Sequence, residues 1–504
     1  MEDKSKLRLV LAGILLGILM AAMDNTIVAT ALGSILGDLG GVDSYIWITS
    51  AYAVAVLAGM PIFGKLSDMY GRKRFFVFGI IVFMIGSALC GLAQSVPQLA
   101  AFRAIQGIGG GALLPIAFTI VFDVFPPEQR GKMTGLLGAV FGASSVIGPL
   151  LGAWITEAIS WHWVFYVNLP IGLISLLLIV RFYKEATKPS KQAIDWLGAI
   201  TLVTAVVSLM FGLEFGGKEF AWSSWQSITL FSIFAVFFII FIWAETRAKE
   251  PIISFWMFKN RLFASSQILA FLYGATFIGL TIFIPIFVQA VYGGSATNAG
   301  IILMPMLLGS VVGSALGGIL QTKTTYRKIM AISVIAYSIG MILMSTISPD
   351  TSRVVLSTYM VFVGFGVGFS FSLLPAASVH KMDFRHRGSA NSTNSFFRSL
   401  GLALGITIFG AIQTKILTRD MAAGFAKLPG NGAGGVESFG NVQSAFLPET
   451  RKTIPPDVLD VITNAMSHSI STTFLWALIP VAISIFAVFY MGPERLEVPS
   501  KKEN

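Results

Sequence analysis

Asp24 stands in the middle of an apolar run, Ile14–Leu32, with the sequence ILLGILMAAMDNTIVATAL. About 20 apolar residues at 1.5 Å rise cross the hydrocarbon core of a bilayer. A carboxylate inside such a run costs roughly 2.5–3.5 kcal/mol on insertion scales, so an acid kept there points to ion or proton binding. Arg103, in LAAFRAIQGIGGG (Leu99–Gly111), is the candidate partner. Asp24 lies about nine residues, roughly 13 Å, from the outer end of its span, and Arg103 about five residues, roughly 8 Å, from the outer end of its own. Both depths fall in the outer half of the membrane. Arg103 either pairs with Asp24 or snorkels to the nearby interface.

The other ionisable residues weigh less. Glu214, in LMFGLEFGGKEF, closes the seventh span, where an acid either draws cations into a pathway or is simply solvated. Arg398, in NSFFRSLGLALG, falls about ten residues into the thirteenth span and is expected to face the bundle interior rather than lipid. Glu157 reads as interfacial, and span 10 holds no acid. His162, His380, His386 and His468 lie in or beside loops, with neither metal-ligand spacing nor a nucleophile–base arrangement. There is no G-x-x-x-x-G-K-[ST] loop, so nothing in the chain itself would use ATP. No catalytic set shares one depth, which argues against an enzyme, and one acid with one arginine is a poor match to a channel's rings of groups. No cofactor or metal is implied. Cys90 is the single cysteine, so no intrachain disulfide can form.

The elements that must position these residues follow from composition. Of 504 residues, 55% are hydrophobic and 12% charged, against about 25% charged in soluble domains. Long apolar runs recur along the whole chain, which makes it an all-α polytopic membrane protein. Windows of about 19 residues place spans at 8–33, 45–66, 75–94, 98–122, 132–156 and 163–182. Two follow at 196–214 and 227–245, then six at 263–291, 297–320, 327–347, 354–379, 389–414 and 470–490. An even number puts both termini on one side. The net charge of +10 is carried in short loops, which argues for a membrane rather than nucleic acid. Alternate loops hold Lys65, Arg72, Lys73 and Arg74; Arg130 and Lys132; Arg181, Lys184, Lys188 and Lys191; Arg247, Lys249, Lys259 and Arg261; Lys323, Arg327 and Lys328; and Lys381, Arg385 and Arg387. The short loops on the other side hold only Lys218 and Arg353, so both termini are expected in the cytoplasm. The N-terminus MEDKSKLRLV has no small-residue cleavage site and reads as retained.

GKLSDMYGRKR (Gly64–Arg74) after span 2 and GILQTKTTYRK (Gly318–Lys328) after span 10 form a weak internal repeat. Two six-span halves, 1–182 and 263–504, with a linker at 183–262 carrying spans 7 and 8, would give that spacing. An outer loop is expected at about 415–469. It holds the Gly-rich NGAGG and a short surface helix opened by Pro455-Pro456, with Val458, Leu459, Ile462 and Met466 on one face. A similar surface helix is expected at Glu250–Phe258. The Met- and Phe-rich stretches Phe365–Pro375 and Ser395–Phe397 either line an adaptable cavity or pack against helices and lipid.

In Gly64–Arg74 the glycines Gly64 and Gly71 permit tight turning and close backbone approach. Asp68 can hold a neighbouring helix N-terminus or an arginine, and Arg72, Lys73 and Arg74 anchor the loop at the membrane face. The order Gly-x-x-x-Asp-x-x-Gly-Arg-Lys resembles the loop between spans 2 and 3 of the major facilitator superfamily. Arg103–Gly107, with Gln106 and Gly107, resembles its fourth-span pattern. In span 5, Ser144, Gly148 and Gly152 recur every four residues as a small packing face, and Pro149 bends the helix. Gly148-Pro149-x-x-Gly152 resembles the antiporter motif of this superfamily's exporters.

MDNTIVATAL (Met23–Leu32), WHWVFYVNLPIG (Trp161–Gly172) and DWLG (Asp195–Gly198) resemble segments of its fourteen-helix drug:proton antiporters, with departures at Ala29, Gly33 and His162. The resemblance implies two six-helix bundles with two linking helices, in a bacterial cytoplasmic membrane. It implies export of lipophilic, cationic drugs in exchange for protons, in contact with membrane lipid and with no obligatory protein partner. Asp24 would take the proton and cationic drug would compete for it, with Arg103 favouring release. Gly64–Arg74 and the kink at Pro149 would shape the rocking of the bundles. Export of an endogenous lipid, peptide or metabolite by the same mechanism stays open.

Overall fold

Among the described residues, fourteen helices are long and apolar enough to cross a membrane. The computed structural model describes residues 2–40, 46–185, 193–217, 219–293, 296–428, 451 and 454–496. NGAGG, Lys188, Lys191 and Lys218 lie outside the described residues. The first half comprises α1 (Glu2–Leu39), α2 (Ile46–Tyr70), α3 (Arg72–Cys90), α4 (Val96–Val124), α5 (Pro127–Ala158) and α6 (Asn168–Phe182). A pair, α7 (Trp196–Phe215) and α8 (Trp225–Arg247), separates it from the second half. That half comprises α9 (Arg261–Ala290), α10 (Ala296–Leu320), α11 (Tyr326–Met344), α12 (Arg353–Ser378), α13 (Arg387–Phe425) and α14 (Pro456–Tyr490).

Helices are what this composition permits. In hydrocarbon every backbone N–H and C=O must be satisfied within the segment, and a helix does so. Polar residues at the ends then supply the caps: Ser95 accepts from Gln98 N, Asp195 from Gly198 N and Ser352 from Val355 N. The turn between α2 and α3 is Gly71 alone, at φ +108°, a conformation that disfavours any side chain.

Several ends differ from the sequence expectation. α1 runs on to Leu39, six residues past position 33. α13 runs unbroken to Phe425, and α14 starts at Pro456, so the loop expected at 415–469 is shorter and its expected surface helix is the first turns of α14. The cause is a shared apolar face. Leu417, Met421 and Phe425, four apart on α13, pack with Ile462 and Ala465 of α14. Asp420 meets His468 at 2.5 Å on the same pair of helices. At Glu250–Phe258 only a short 3-10 turn forms, Phe255–Lys259. There Glu245 accepts the N–H groups of Ile252 and Ile253 at 3.3 and 3.1 Å, which pins the segment to protein rather than lipid.

The halves meet along α5 against α10 and α2 against α13. Lipid gives helices no hydrophobic reason to associate, so small residues that allow close approach do the work. Gly131, Gly135, Gly138 and Gly142 of α5 face Gly318, Ser314 and Ser310 of α10. These contacts lie toward the end of the molecule where α1 begins and α14 finishes. Toward the opposite end, a Cβ at Gly33, Gly37, Gly300 or Gly410 would meet nothing within 4 Å. Among the described residues, the close backbone contacts between the halves concentrate at the terminal end. α7 packs on α2 and on α13, so the extra pair lies over one edge of that seam.

Candidate functional site

Asp24 is enclosed within the first half. Arg103 Nη1 donates to Asp24 Oδ2, while Gln106 Nε2 and Asn168 Nδ2 donate to Oδ1 at 2.8 and 3.0 Å. Four elements converge here: α1 brings Asp24, α4 brings Arg103 and Gln106 one turn apart, α6 brings Asn168, and α3 brings Ser87. The Ser87 hydroxyl accepts from Gln106 and Asn168 at 3.2 and 3.0 Å and donates to the carbonyl of Phe165 at 2.8 Å. Asp24, Arg103, Gln106, Ser87 and Asn168 are all 0% exposed.

Arg103 also reaches the second helix. Its Nε donates to the carbonyl of Ile48 at 3.2 Å, and its guanidinium lies 4.1 Å from the centre of the Tyr52 ring. An ion pair in so dry a place is a small net gain at best, but removal of one partner leaves a bare charge, at about 3–5 kcal/mol. A carboxylate that can lose its charge by protonation can therefore move the helices that hold its partner. Arg103 Nη2 and Asn168 Oδ1 are sealed in without a partner. Asn168→Ala withdraws one donor from Asp24 and is expected to slow gradient-driven transport about tenfold, since a hydrogen bond to a buried charge is worth roughly 1.5–3 kcal/mol. Transport initial rates normalised to protein in the vesicles would check it.

A second charged cluster closes the terminal end of the seam. Asp68 accepts from Gly388 N and Ser389 N, at the start of α13, at 2.8 and 2.7 Å, and from the Ser389 hydroxyl at 3.1 Å. These are unpaired donors of a helix N-terminus, where a carboxylate is doubly favoured. Arg72 donates to Asp68 at 3.1 Å, to Asp123 of α4 and to the carbonyl of Phe384 at 2.5 Å, and Arg387 donates to Asp123 at 3.0 Å. Gly64 faces Ser392 so closely that a Cβ would collide with it. Glu185 takes the N–H groups of Arg72 and Lys73 at 2.9 and 3.0 Å, and Lys73 Nζ donates to the carbonyls of Val180 and Tyr183. Lys65 pairs with Glu250 at 2.7 Å, tying α2 to the segment after α8.

The remaining candidates lie apart from Asp24 or support it from behind. Gly148 and Gly152 back onto Thr26 and Thr30 of α1, two and six residues beyond Asp24, and Pro149 lies between them inside α5. Gly107 packs on the backbone of Tyr52. Glu214 is half-buried at the end of α7, on the face with Phe211 and Phe215, whose rings pack on Trp47 of α2. Arg398 belongs to the second half, where its Nη2 donates to the carbonyl of Ser370 at 3.0 Å.

The family model described as Major Facilitator Superfamily matches residues 14–406. The chain belongs to the major facilitator superfamily. Multidrug resistance protein 3 of Bacillus subtilis (strain 168) is 61% identical over 98% of this chain and 97% of that protein. Multidrug transporter protein MdtP of the same organism is 34% identical over 98% of this chain and 94% of its own length. Among solved structures, the proton:xylose symporter XylE superposes with a TM-score of 0.63 over 98% of both chains at 13% identity. The human organic anion transporter MFSD10 gives 0.62 over 94% of this chain and 99% of its own, at 15% identity. These likenesses establish the major facilitator fold, two six-helix bundles plus two linking helices, in a multi-pass membrane transporter.

Within this superfamily fold, three members of the Asp24 cluster escape a reading based on charge. Ser87 and Tyr52 sit in ordinary apolar runs with no local signal. Asn168 has one: it is the single amide in WHWVFYVNLPIG, and an amide in a spanning segment needs a partner.

Proposed function

We propose that this chain exports lipophilic, toxic compounds across the bacterial cytoplasmic membrane in exchange for protons, with both termini in the cytoplasm. The observation that carries the coupling is the sealed Asp24–Arg103 pair. Similarity to two multidrug proteins over nearly the whole chain supports the substrate class. The bias of basic loops to the terminal side supports the orientation.

The enclosure of Asp24 changes the expected mechanism. Direct competition of a cationic drug with a proton for this carboxylate has no support, since Asp24 is 0% exposed and both its oxygens are occupied by the first half's own side chains. Coupling instead runs through α2. Protonation of Asp24 strips Arg103 of its counter-charge, and Arg103 is held on α2 by the Ile48 carbonyl and the Tyr52 ring. The same helix carries Gly64 and Asp68 against α13. One rigid element thus touches both the proton site and the closure between halves, and each can bias the other. Drug and proton are exchanged because the protein rocks between two closures, each favouring a different state of Asp24.

Purified protein in proteoliposomes with an imposed pH gradient, acid on the side opposite the termini, tests this. Dye movement is expected to rise with the gradient and stop when an uncoupler collapses it. Movement that ignores the gradient would refute proton coupling, and failure to move any lipophilic dye would favour an endogenous substrate.

A further inference from the structure

Most charges at membrane depth are matched within the protein. Asp24 has Arg103, Asp68 and Asp123 share Arg72 and Arg387, and Glu245 takes two backbone N–H groups. Arg398 has no acidic partner among the described residues. Nη2 bonds the Ser370 carbonyl, and the guanidinium lies 5.0 Å from the centre of the Phe371 ring. Among the described residues, its other donors, Nε and Nη1, have no hydrogen-bond partner. Unlike Nη2 of Arg103 they are not sealed in, for the residue is half-buried.

The open side of Arg398 is the seam. Asn391, seven residues earlier and so on the same face of α13, donates across to the carbonyl of Pro115 in α4 at 2.7 Å. On the other flank, Phe371 meets Phe141 of α5 at 5.3 Å between ring centres and Phe277 of α9 at 5.8 Å. Contacts between the halves thus bracket Arg398, and Ser399 beside it reaches Met60 of α2 at 3.6 Å. It lies eleven residues from the start of α13, about 17 Å at 1.5 Å per residue. At that depth it is near the bilayer midplane, out of reach of lipid headgroups.

We infer that Arg398 recognises the anionic group of the transported compound: a carboxylate or similar single acceptor on a lipophilic zwitterion or acid, whose aromatic body rests on Phe141, Phe277 and Phe371. The inference rests on the reading of the seam as the export pathway and replaces a preference for simple cations. The second N–H of Nη2 pairs with that of Nε or Nη1 along one edge of the guanidinium, the geometry a carboxylate accepts, and in a poorly solvated site that bond is strong. The surrounding rings supply apolar contact without a competing charge.

Equilibrium binding to purified protein in detergent, at one pH and without a gradient, tests this independently of proton coupling. The probes are rhodamine B, which carries a free carboxylate, and its ethyl ester, which does not. Fluorescence anisotropy is expected to give about tenfold tighter binding of the free acid to the wild type. Arg398→Gln should abolish that preference while leaving the affinity for the ester nearly unchanged. Arg398→Lys should retain part of it, and it keeps the comparison available should the glutamine variant fail to fold. Equal affinity of the wild type for both dyes, absence of binding included, overturns the inference. So does an Arg398→Gln protein that keeps the preference or weakens both dyes alike. Loss of gradient coupling in transport assays leaves this result untouched.

Discussion

Asp24→Asn is expected to yield a protein that inserts, melts as a single species and still binds dye, but no longer concentrates it against a pH gradient. The asparagine keeps the shape of the side chain and can still accept from Gln106 or Asn168, so the cluster of α1, α3, α4 and α6 stays packed. It cannot change charge. Arg103 is then unmatched in every state, as it would be when the wild-type carboxyl is protonated. The energy that one proton would deliver, about 3–5 kcal/mol for an unpaired buried charge, is no longer gained and lost in a cycle. Gradient-driven uptake into inverted vesicles should fall roughly a hundredfold or more, since 1.4 kcal/mol is a factor of ten. Downhill exchange of labelled for unlabelled dye should persist. Full gradient-driven transport by this variant would remove Asp24 from the mechanism.

The second large effect concerns the closure at the terminal end. Asp68→Asn removes the charge that holds the first N–H groups of α13 and one of the two carboxylates around Arg72. A bond of this charged kind is worth roughly 1.5–3 kcal/mol, enough to shift a two-state equilibrium about 10- to 100-fold. The variant should favour the form open toward the termini. Spin labels at Lys132→Cys and Lys323→Cys, both exposed on α5 and just after α10, in a Cys90→Ser background, would read the change. A longer distance should become the main population, with a drop in transport of about tenfold. An unchanged distance distribution would show that the seam closes by its glycine contacts alone.

Much of this architecture is legible in the chain because a bilayer imposes few options. An apolar run of the right length must be a helix, and basic loops at alternate turns favour one orientation. Counting residues from span ends placed Asp24 and Arg103 at compatible depths, and their side chains meet. The unread features share a physical cause. Ser87 and Tyr52 matter through a hydrogen bond and a ring face in ordinary apolar runs, and Asn168 shows only as a single amide whose partner lies on another helix. The ends of α13 and α14 were hidden because KILTRDMAAGF is polar enough to resemble a loop, while its apolar positions are matched only by a helix distant in sequence. Whether Asp24 lies on the drug's route depended on which side of α1 it faces, and no count along one chain reveals that.

The paired ends of α13 and α14 have a practical use. At 39 residues α13 is about 58 Å long, against a hydrocarbon core of about 30 Å. Together with α14 it raises a stiff two-helix post above the membrane on the side away from the termini. The post is rooted in the second half alone. An antibody fragment gripping it would add mass to a particle otherwise almost buried in detergent. Because that mass is rooted in one half, its angle in single-particle images would report the state of the transporter without any label.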